Sequence, residues 1–251
     1  SRAGLVHAVS DAGVFASLPG LPPEVLRHDP PAGAGGLVAA LPARFDALGV
    51  GPGWGRGEAR VADLRALAAR CRELGVPLVL DAEGLHSLGR TGPLQHAGMV
   101  LTPHAGEMAA LAGCPPEELA QEPRPALASL AKHHGAVILF KGAVTWIVDP
   151  TGQFSVYDGA NPLLAQAGSG DILAGIIVAV LAGLRRTEMS VEAACLAAAC
   201  AGCLCLARAG QIAWRNHGWV AASGVVAMLP AVWAEAAPAG LRGTEFAEEV
   251  P

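Results

Sequence analysis

The residues whose types and spacing best suit chemistry are Gly168, Ser169, Gly170 and Asp171. They close the stretch Asn161-Pro162-Leu163-Leu164-Ala165-Gln166-Ala167-Gly168-Ser169-Gly170-Asp171. This small, glycine-rich loop runs without a break into Ile172-Leu173-Ala174-Gly175-Ile176-Ile177-Val178-Ala179-Val180-Leu181, and no charge follows until Arg185. The pattern predicts a loop that feeds a buried helix. First-turn amides of a helix lack intrahelical acceptors, and the macrodipole adds partial positive charge, so the junction suits an anion such as phosphate. Glycines at 168 and 170 leave room for that anion to reach the amides. A carboxylate at 171 would repel the same anion. Two readings therefore stand side by side: Asp171 is a general base aimed at a hydroxyl that attacks the phosphate, or Asp171 caps the helix.

Four further candidates are Gly51-Pro52-Gly53, Asp81, Thr102-Pro103-His104 and Lys141-Gly142. Each has an ordinary explanation when taken alone: a turn, a helix cap, a packed histidine, a solvated strand end. Each also follows a segment that reads as a strand. In open α/β sheets the ligand binds at that carboxyl edge.

The elements that must position these residues are legible as alternating strands and helices. Leu5–Val9, Phe45–Val50, Val76–Asp81, Met99–Leu101 and Ala136–Phe140 read as strands. Thr145–Asp149 and Phe154–Tyr157 flank Pro150-Thr151-Gly152 as a hairpin. A helix is expected from about Ala59 to Leu74, with Val61, Leu64, Leu67, Ala68 and Cys71 on one face and Gly75 as its stop. Met108–Ala112 begins another helix and Leu127–His134 forms one. Asp171–Leu184, Val191–Ala209 and Val220–Ala234 finish the fold. Residues 1–4 read as the end of a helix, 18–36 as loop, 115–125 as a polar excursion and 238–251 as a loose tail. The expectation is an α/β fold with a mainly parallel sheet closed by an antiparallel hairpin.

Composition narrows the functional classes. Of 251 residues, 52% are hydrophobic and only 16% charged, which requires a large core, and the net charge of −5 argues against a nucleic-acid surface. Ile172–Leu184 and Cys195–Ala207 are apolar but short of a membrane span, so both are expected to be core helices and no membrane partner is expected. Six cysteines in a chain this long do not suggest a disulfide framework. Cys195, Cys200 and Cys203 match the C-x4-C-x2-C spacing of a plant-type iron–sulfur loop. They sit, however, in an alanine-rich helical run where cysteine acts as a small hydrophobe. Reduced core thiols fit a cytoplasmic protein.

Taken in order, Val-Gly-Pro-Gly-Trp-Gly (50–55), Leu-Asp-Ala-Glu-Gly-Leu (80–85), Leu-Thr-Pro-His-Ala-Gly-Glu-Met (101–108), Phe-Lys-Gly-Ala-Val-Thr (140–145) and Gly-Ser-Gly-Asp-Ile-Leu-Ala-Gly (168–175) closely resemble the ADP/ATP-dependent NAD(P)H-hydrate dehydratases. That family is of the YjeF C-terminal type within the ribokinase-like superfamily. The resemblance implies a ribokinase-like three-layer α/β/α fold and nucleotide-dependent dehydration of NAD(P)H hydrate. By resemblance, Asp171 matches the catalytic base and Gly168, Ser169 and Gly170 match the loop holding the transferred phosphate. Lys141, Gly142, Ala143, Val144 and Thr145 match the strip along the adenylate. Gly53, His104 and Asp171 match positions that touch the hydrated dinucleotide, and Glu107 matches a carboxylate that organises Mg²⁺. The cofactors implied are ADP or ATP with Mg²⁺; a homo-oligomer and a fused or associated epimerase domain are the implied partners.

The resemblance also sets expectations at the ends. Family members carry a strand and glycine-rich loop before the helix that leads into Ala3-Gly4-Leu5-Val6. Residues 1–236 therefore read as one N-terminally incomplete domain and 237–251 as a disordered tail. Near the last helix the family often has Ala-Ser-Asp, where this chain has Ala222-Ser223-Gly224. Two rival readings remain. One is a small-molecule kinase of the same superfamily, such as a hydroxyethylthiazole kinase, against which His104 and Gly-Pro-Gly-Trp-Gly count. The other is a non-catalytic nucleotide-binding remnant of a two-domain repair protein.

Overall fold

The computed structural model describes residues 4–236 except Asp11, Pro19, Ala34, Gln95 and Ala160. The expectations for a helix end before Gly4 and for a loose tail after 236 fall outside the described residues. Strands β1 (Val6–Val9) and β2 (Val25–His28) pair in parallel as a separate small sheet. The main sheet has six strands in sequence order: β3 (Leu48–Val50), β4 (Leu78–Leu80), β5 (Met99–Leu101), β6 (Ala136–Phe140), β7 (Val144–Val148) and β8 (Phe154–Asp158). β3 to β6 are parallel, and β6–β7–β8 are antiparallel. The α/β reading with a closing hairpin holds.

Period-two alternation along the strands divides the interior into two cores. Leu78 and Leu80 of β4, Met99 and Leu101 of β5, and Ala136, Ile138 and Phe140 of β6 face one side. They meet α3 (Glu58–Leu74), α4 (Glu83–Thr91), α5 (Ala105–Ala112) and α7 (Arg124–His134), with the short α1 (Ala12–Ala16), α2 (Gly36–Ala40) and α6 (Pro116–Gln121) outside or between them. Val79, Val100, Val137 and Leu139 face the opposite side. There they meet α8 (Ser169–Leu184), α9 (Val191–His217), α10 (Ala222–Val226) and α11 (Leu229–Ala236). This is the three-layer arrangement expected. The buried face of α3 consists of the five residues expected from periodicity, Val61, Leu64, Leu67, Ala68 and Cys71.

Several elements differ from the sequence reading. The stretch 18–36 contains β2, and 115–125 contains α6, which starts at Pro116 with Glu117 and Glu118 in its first turn. Proline at a first helical position followed by acidic residues is a regular start signal. The last expected helix is two, α10 and α11, broken before Pro230. Proline there lacks an amide and its ring clashes with the carbonyl four residues back. α9 runs to 27 residues, eight beyond the expected Ala209. By length and composition it could cross a membrane, with mean hydropathy 1.7 over its most apolar window, yet 56% of that window is buried inside the fold. Its inner face carries Cys195 and Cys203, whose thiols are pushed up to about 12 and about 11, chiefly by burial. They are packed as protonated, apolar groups.

Replacing Cys195, Cys200 and Cys203 together with alanine should lower stability by about 1 kcal/mol per buried sulfur and leave the visible absorption spectrum unchanged. Denaturant unfolding together with spectroscopy and iron analysis of freshly purified protein checks both parts.

Candidate active site

The carboxyl ends of four adjacent parallel strands bring the candidate residues to one edge. β3 delivers Gly51-Pro52-Gly53-Trp54, closed by Trp54 N donating to Gly51 O at 2.9 Å. Gly53 takes φ +69° there. Proline followed by a positive-φ residue is what a type II turn demands, which explains the Gly-Pro-Gly order. β4 delivers Asp81, which is only 2% exposed. β5 delivers Thr102, fully buried, and then His104. β6 delivers Lys141, whose amide donates to Pro103 O at 2.8 Å and which forms a parallel bridge with His104.

Three of these strand ends meet in one buried polar knot. Thr102 Oγ1 donates to Asp81 Oδ1 at 2.8 Å, and Lys141 Nζ donates to the same oxygen at 2.7 Å. Lys141 Nζ is also 3.9 Å from Glu107 Oε2. A Cβ on Gly170 would lie only 3.3 Å from Lys141 Nζ, so the ammonium sits directly against the glycine loop. Sequence reading placed Asp81 and Lys141 at the same edge but missed their union and the part of Thr102. The signal available was a polar side chain, Thr102, at the end of an otherwise apolar strand.

The loop itself forms as expected at the start of α8. Gly168 is the N-cap residue, with φ +88°, and among the described residues no side chain caps this helix. Ser169 N donates to Gln166 O at 3.3 Å, and Ile172 N donates to Gly168 O at 3.1 Å. Among the described residues nothing accepts from the Gly170 and Asp171 amides, which are left for a ligand. Asp171 is the third residue of the helix and does not cap it, so the capping alternative fails. Its residue as a whole is exposed, yet the carboxyl is held above its ordinary value. Partial desolvation at the helix start is the largest cause; Asp81 and Glu83 add to it, and Lys141 opposes it. Gln166 is a second residue that sequence reading missed. Its Nε2 donates to Leu163 O at 2.6 Å and to Val220 O at 3.1 Å, tying the loop to the chain before α10.

His104 is not a packed core histidine: its side chain is 59% exposed. It is the N-cap of α5. Nδ1 accepts from the amides of Gly106 at 3.0 Å and Glu107 at 3.3 Å, and Glu107 Oε2 accepts from the His104 amide at 2.8 Å. This reciprocal capping box uses a histidine where serine or threonine is usual. Because Nδ1 must carry a lone pair for both amides, the ring proton sits on Nε2. Glu107, matched by resemblance to a Mg²⁺ carboxylate, therefore also has a structural task. Among the described residues no three His, Cys, Asp or Glu side chains converge to hold a metal alone. Mg²⁺ bound with nucleotide phosphates needs only one or two protein carboxylates, so Glu107 fits that role.

The strip from Lys141 to Thr145 turns from β6 into β7 through Gly142 and Ala143, with Thr145 Oγ1 donating to Gly142 O at 3.5 Å. Among the described residues no hydrogen bond ties Gly53 to the other candidates. The departure at Gly224 has a packing cause: a Cβ there would lie 2.8 Å from Val220 Cβ.

His104→Ala should cost about 1 kcal/mol through loss of the cap, whereas His104→Asn should retain most of that stability, because asparagine is among the best N-cap residues. Thermal denaturation of the two variants checks this.

Comparison with known proteins agrees with the constellation. Residues 1–230 match the model of the NAD(P)H-hydrate dehydratase family. The bifunctional NAD(P)H-hydrate repair enzyme Nnr of Moorella thermoacetica is 39% identical over 192 residues, covering 72% of this chain and 36% of that protein. The chain spans about a third of the length of the curated relatives it matches. Among solved structures, Bacillus subtilis YxkO superposes with a TM-score of 0.74 at 26% identity, over 93% of this chain and 83% of that one. The ADP/ATP-dependent NAD(P)H-hydrate dehydratase from Bacillus subtilis, co-crystallized with ATP/Mg²⁺ and soaked with CoA, gives 0.72 at 25% identity, with coverage of 93% and 83%. The fold is the ribokinase-like one expected. With the strand-edge motifs in place and the family match running from residue 1 to 230, this chain belongs to the NAD(P)H-hydrate dehydratase family.

Proposed function

We propose that this chain removes water from NAD(P)H hydrate in a nucleotide-dependent repair reaction, with Asp171 as general base. The observation that carries the reading is the third-position carboxylate of α8. It stands beside two amides free for an anion and is served by a lysine ammonium pressed against the same loop. A base next to an anion site is the arrangement that transfer of a phosphoryl group to a hydroxyl needs.

Hydroxide is a poor leaving group at neutral pH, and phosphate is a much better one. Asp171 takes the proton of the ring hydroxyl as that oxygen attacks the terminal phosphoryl group of the nucleotide. The amides of Gly170 and Asp171, with Lys141, stabilise charge on the phosphoryl oxygens. The ring nitrogen's lone pair then expels phosphate, and loss of a proton from the neighbouring carbon restores the dihydropyridine. Gly168, Ser169 and Gly170 hold the transferred phosphate. Lys141, Gly142, Ala143, Val144 and Thr145 line the adenylate, and Gly53 and His104 face the hydrated dinucleotide, where His104 offers Nε2–H as a donor. Mg²⁺, when bound, supplies counter-charge to the phosphates, with Glu107 as its protein carboxylate. The nucleotide is ADP or ATP; a similar Bacillus subtilis enzyme was co-crystallized with ATP/Mg²⁺. The similar Nnr proteins are bifunctional repair enzymes, and an epimerase acting on the same hydrate is the partner activity we expect, fused or associated, in a cytoplasmic homo-oligomer.

The test supplies (S)-NADH hydrate, Mg²⁺ and ADP or ATP, and follows the return of dihydronicotinamide absorbance. Accumulation of a stable phosphoester would point instead to a small-molecule kinase, and nucleotide binding without turnover to a non-catalytic remnant. Asp171→Asn should lose ~10²–10⁴-fold in turnover while nucleotide affinity holds or improves. The raised carboxyl of Asp171 also sets a pH dependence. A general base works only when deprotonated, so the rate should fall on acidification at a pH above the ordinary aspartate range. An acid limb at or below that range would remove Asp171 from the role.

A further inference from the structure

Asp81 is the most buried charged residue of the edge, at 2% exposure, and its surroundings hold it rigidly. Its amide donates to Val50 O at 3.1 Å. A Cβ on Gly51 would lie 1.8 Å from Asp81 O, and one on Gly84 would lie 2.7 Å from Val50 O, so the ends of β3 and β4 are in direct backbone contact. The next residue, Ala82, has φ 45° and ψ −123°, a conformation that costs a non-glycine residue energy and persists only where the surroundings over-determine it. Strain beside a buried carboxylate suggests that the carboxylate's position matters.

What the carboxylate holds is Lys141. Both donors on Asp81, Thr102 Oγ1 at 2.8 Å and Lys141 Nζ at 2.7 Å, converge on Oδ1. Thr102 is fully buried and cannot leave. The other oxygen, Oδ2, is 3.9 Å from where a Gly170 Cβ would be. The ammonium thus lies between Asp81 and the phosphate loop, with Glu107 Oε2 a further 3.9 Å contact. A free lysine side chain has several rotatable bonds and would lose that freedom on meeting a phosphate. Tethered to Asp81, it has lost it beforehand.

We propose that Asp81 is a positioning residue for phosphoryl transfer: it holds the Lys141 ammonium beneath Gly170, where the transferred phosphate arrives. The inference rests on the proposed nucleotide-dependent reaction. On this reading Asp81 acts through Lys141, to which it is bonded. The charged groups that act on Asp171 are Asp81, Glu83 and Lys141, two acids against one base. Removing the Asp81 charge therefore favours the ionised form of Asp171.

The experiment is a double-mutant cycle with Asp81→Asn, Lys141→Met and the pair together. It measures affinity for Mg-ADP and Mg-ATP by calorimetry, the pH profile of kcat/KM, and thermal stability. Asp81→Asn keeps the shape and the Thr102 bond. It should weaken nucleotide binding by about 10-fold and move the acid limb to lower pH. Lys141→Met leaves a buried carboxylate without its counter-charge and should lower Tm. The double variant should recover part of that Tm and bind nucleotide no more weakly than Lys141→Met. Asp81→Asn with wild-type affinity and an unmoved acid limb overturns the proposal, as do additive affinity losses in the double variant. If Asp81→Asn does not fold, Thr102→Val, which removes one donor to Asp81 and no charge, should weaken nucleotide binding by a smaller factor and leave the acid limb in place; unchanged affinity overturns the proposal. A wild-type chain that binds no nucleotide overturns the function and this inference together. Insensitivity of Asp81→Asn in a chain that turns over overturns only the inference.

Discussion

A parallel sheet covered on both faces leaves its strands no polar positions except their ends. β4, β5 and β6 are buried along their whole length, with alternate side chains committed to two separate cores. Burying polar groups within these strands would leave hydrogen-bonding capacity unmet in both layers. The first residue free of that constraint on each strand is the one just past its carboxyl end, and there the chain places Asp81, Thr102 and Lys141. The chemistry of the molecule is gathered at one edge because the packing of the sheet excludes it elsewhere.

The same constraint explains how charge is managed at that edge. Asp81 and Lys141 come from strands separated by β5 in the sheet and sixty residues apart in the chain. They meet because β5 ends in the small polar residue Thr102, whose hydroxyl bridges toward Asp81. The pair is close to neutral as a unit, so it can be buried. Lys141 still presents its ammonium to the start of α8 at Gly170. Helix dipole and lysine thus act together on a site where Asp171 supplies the opposing charge.

Much of this was legible in the sequence. Strand ends, the hairpin, the amphipathic face of α3 and the loop into α8 are local patterns, and local patterns survive in one dimension. Elements set by distant contacts were not legible. α4 carries two glycines in nine residues, which lowers its helical signal. One of them, Gly84, is there because a side chain would strike Val50 O, a contact that no local window contains. β2 is four residues between proline-rich flanks and exists by pairing with β1. In the site, the residues were identifiable one at a time, whereas their hydrogen bonds to each other were not. His104 read as a ligand or a packed ring; its structural task as the cap of α5 depends on the rotamer that brings Nδ1 over two amides.

The packing of Val220 against Gly224 couples the side chains these two positions can carry. Position 224 cannot take a side chain without displacement while position 220 keeps its β-branched one, because a Cβ at 224 would lie 2.8 Å from Val220 Cβ. Trimming Val220 removes packing beside the segment whose carbonyl holds Gln166, and adding a side chain at 224 forces a clash. What position 224 can hold is therefore set by the size of the side chain at 220, and the two positions are coupled in the residues they accept.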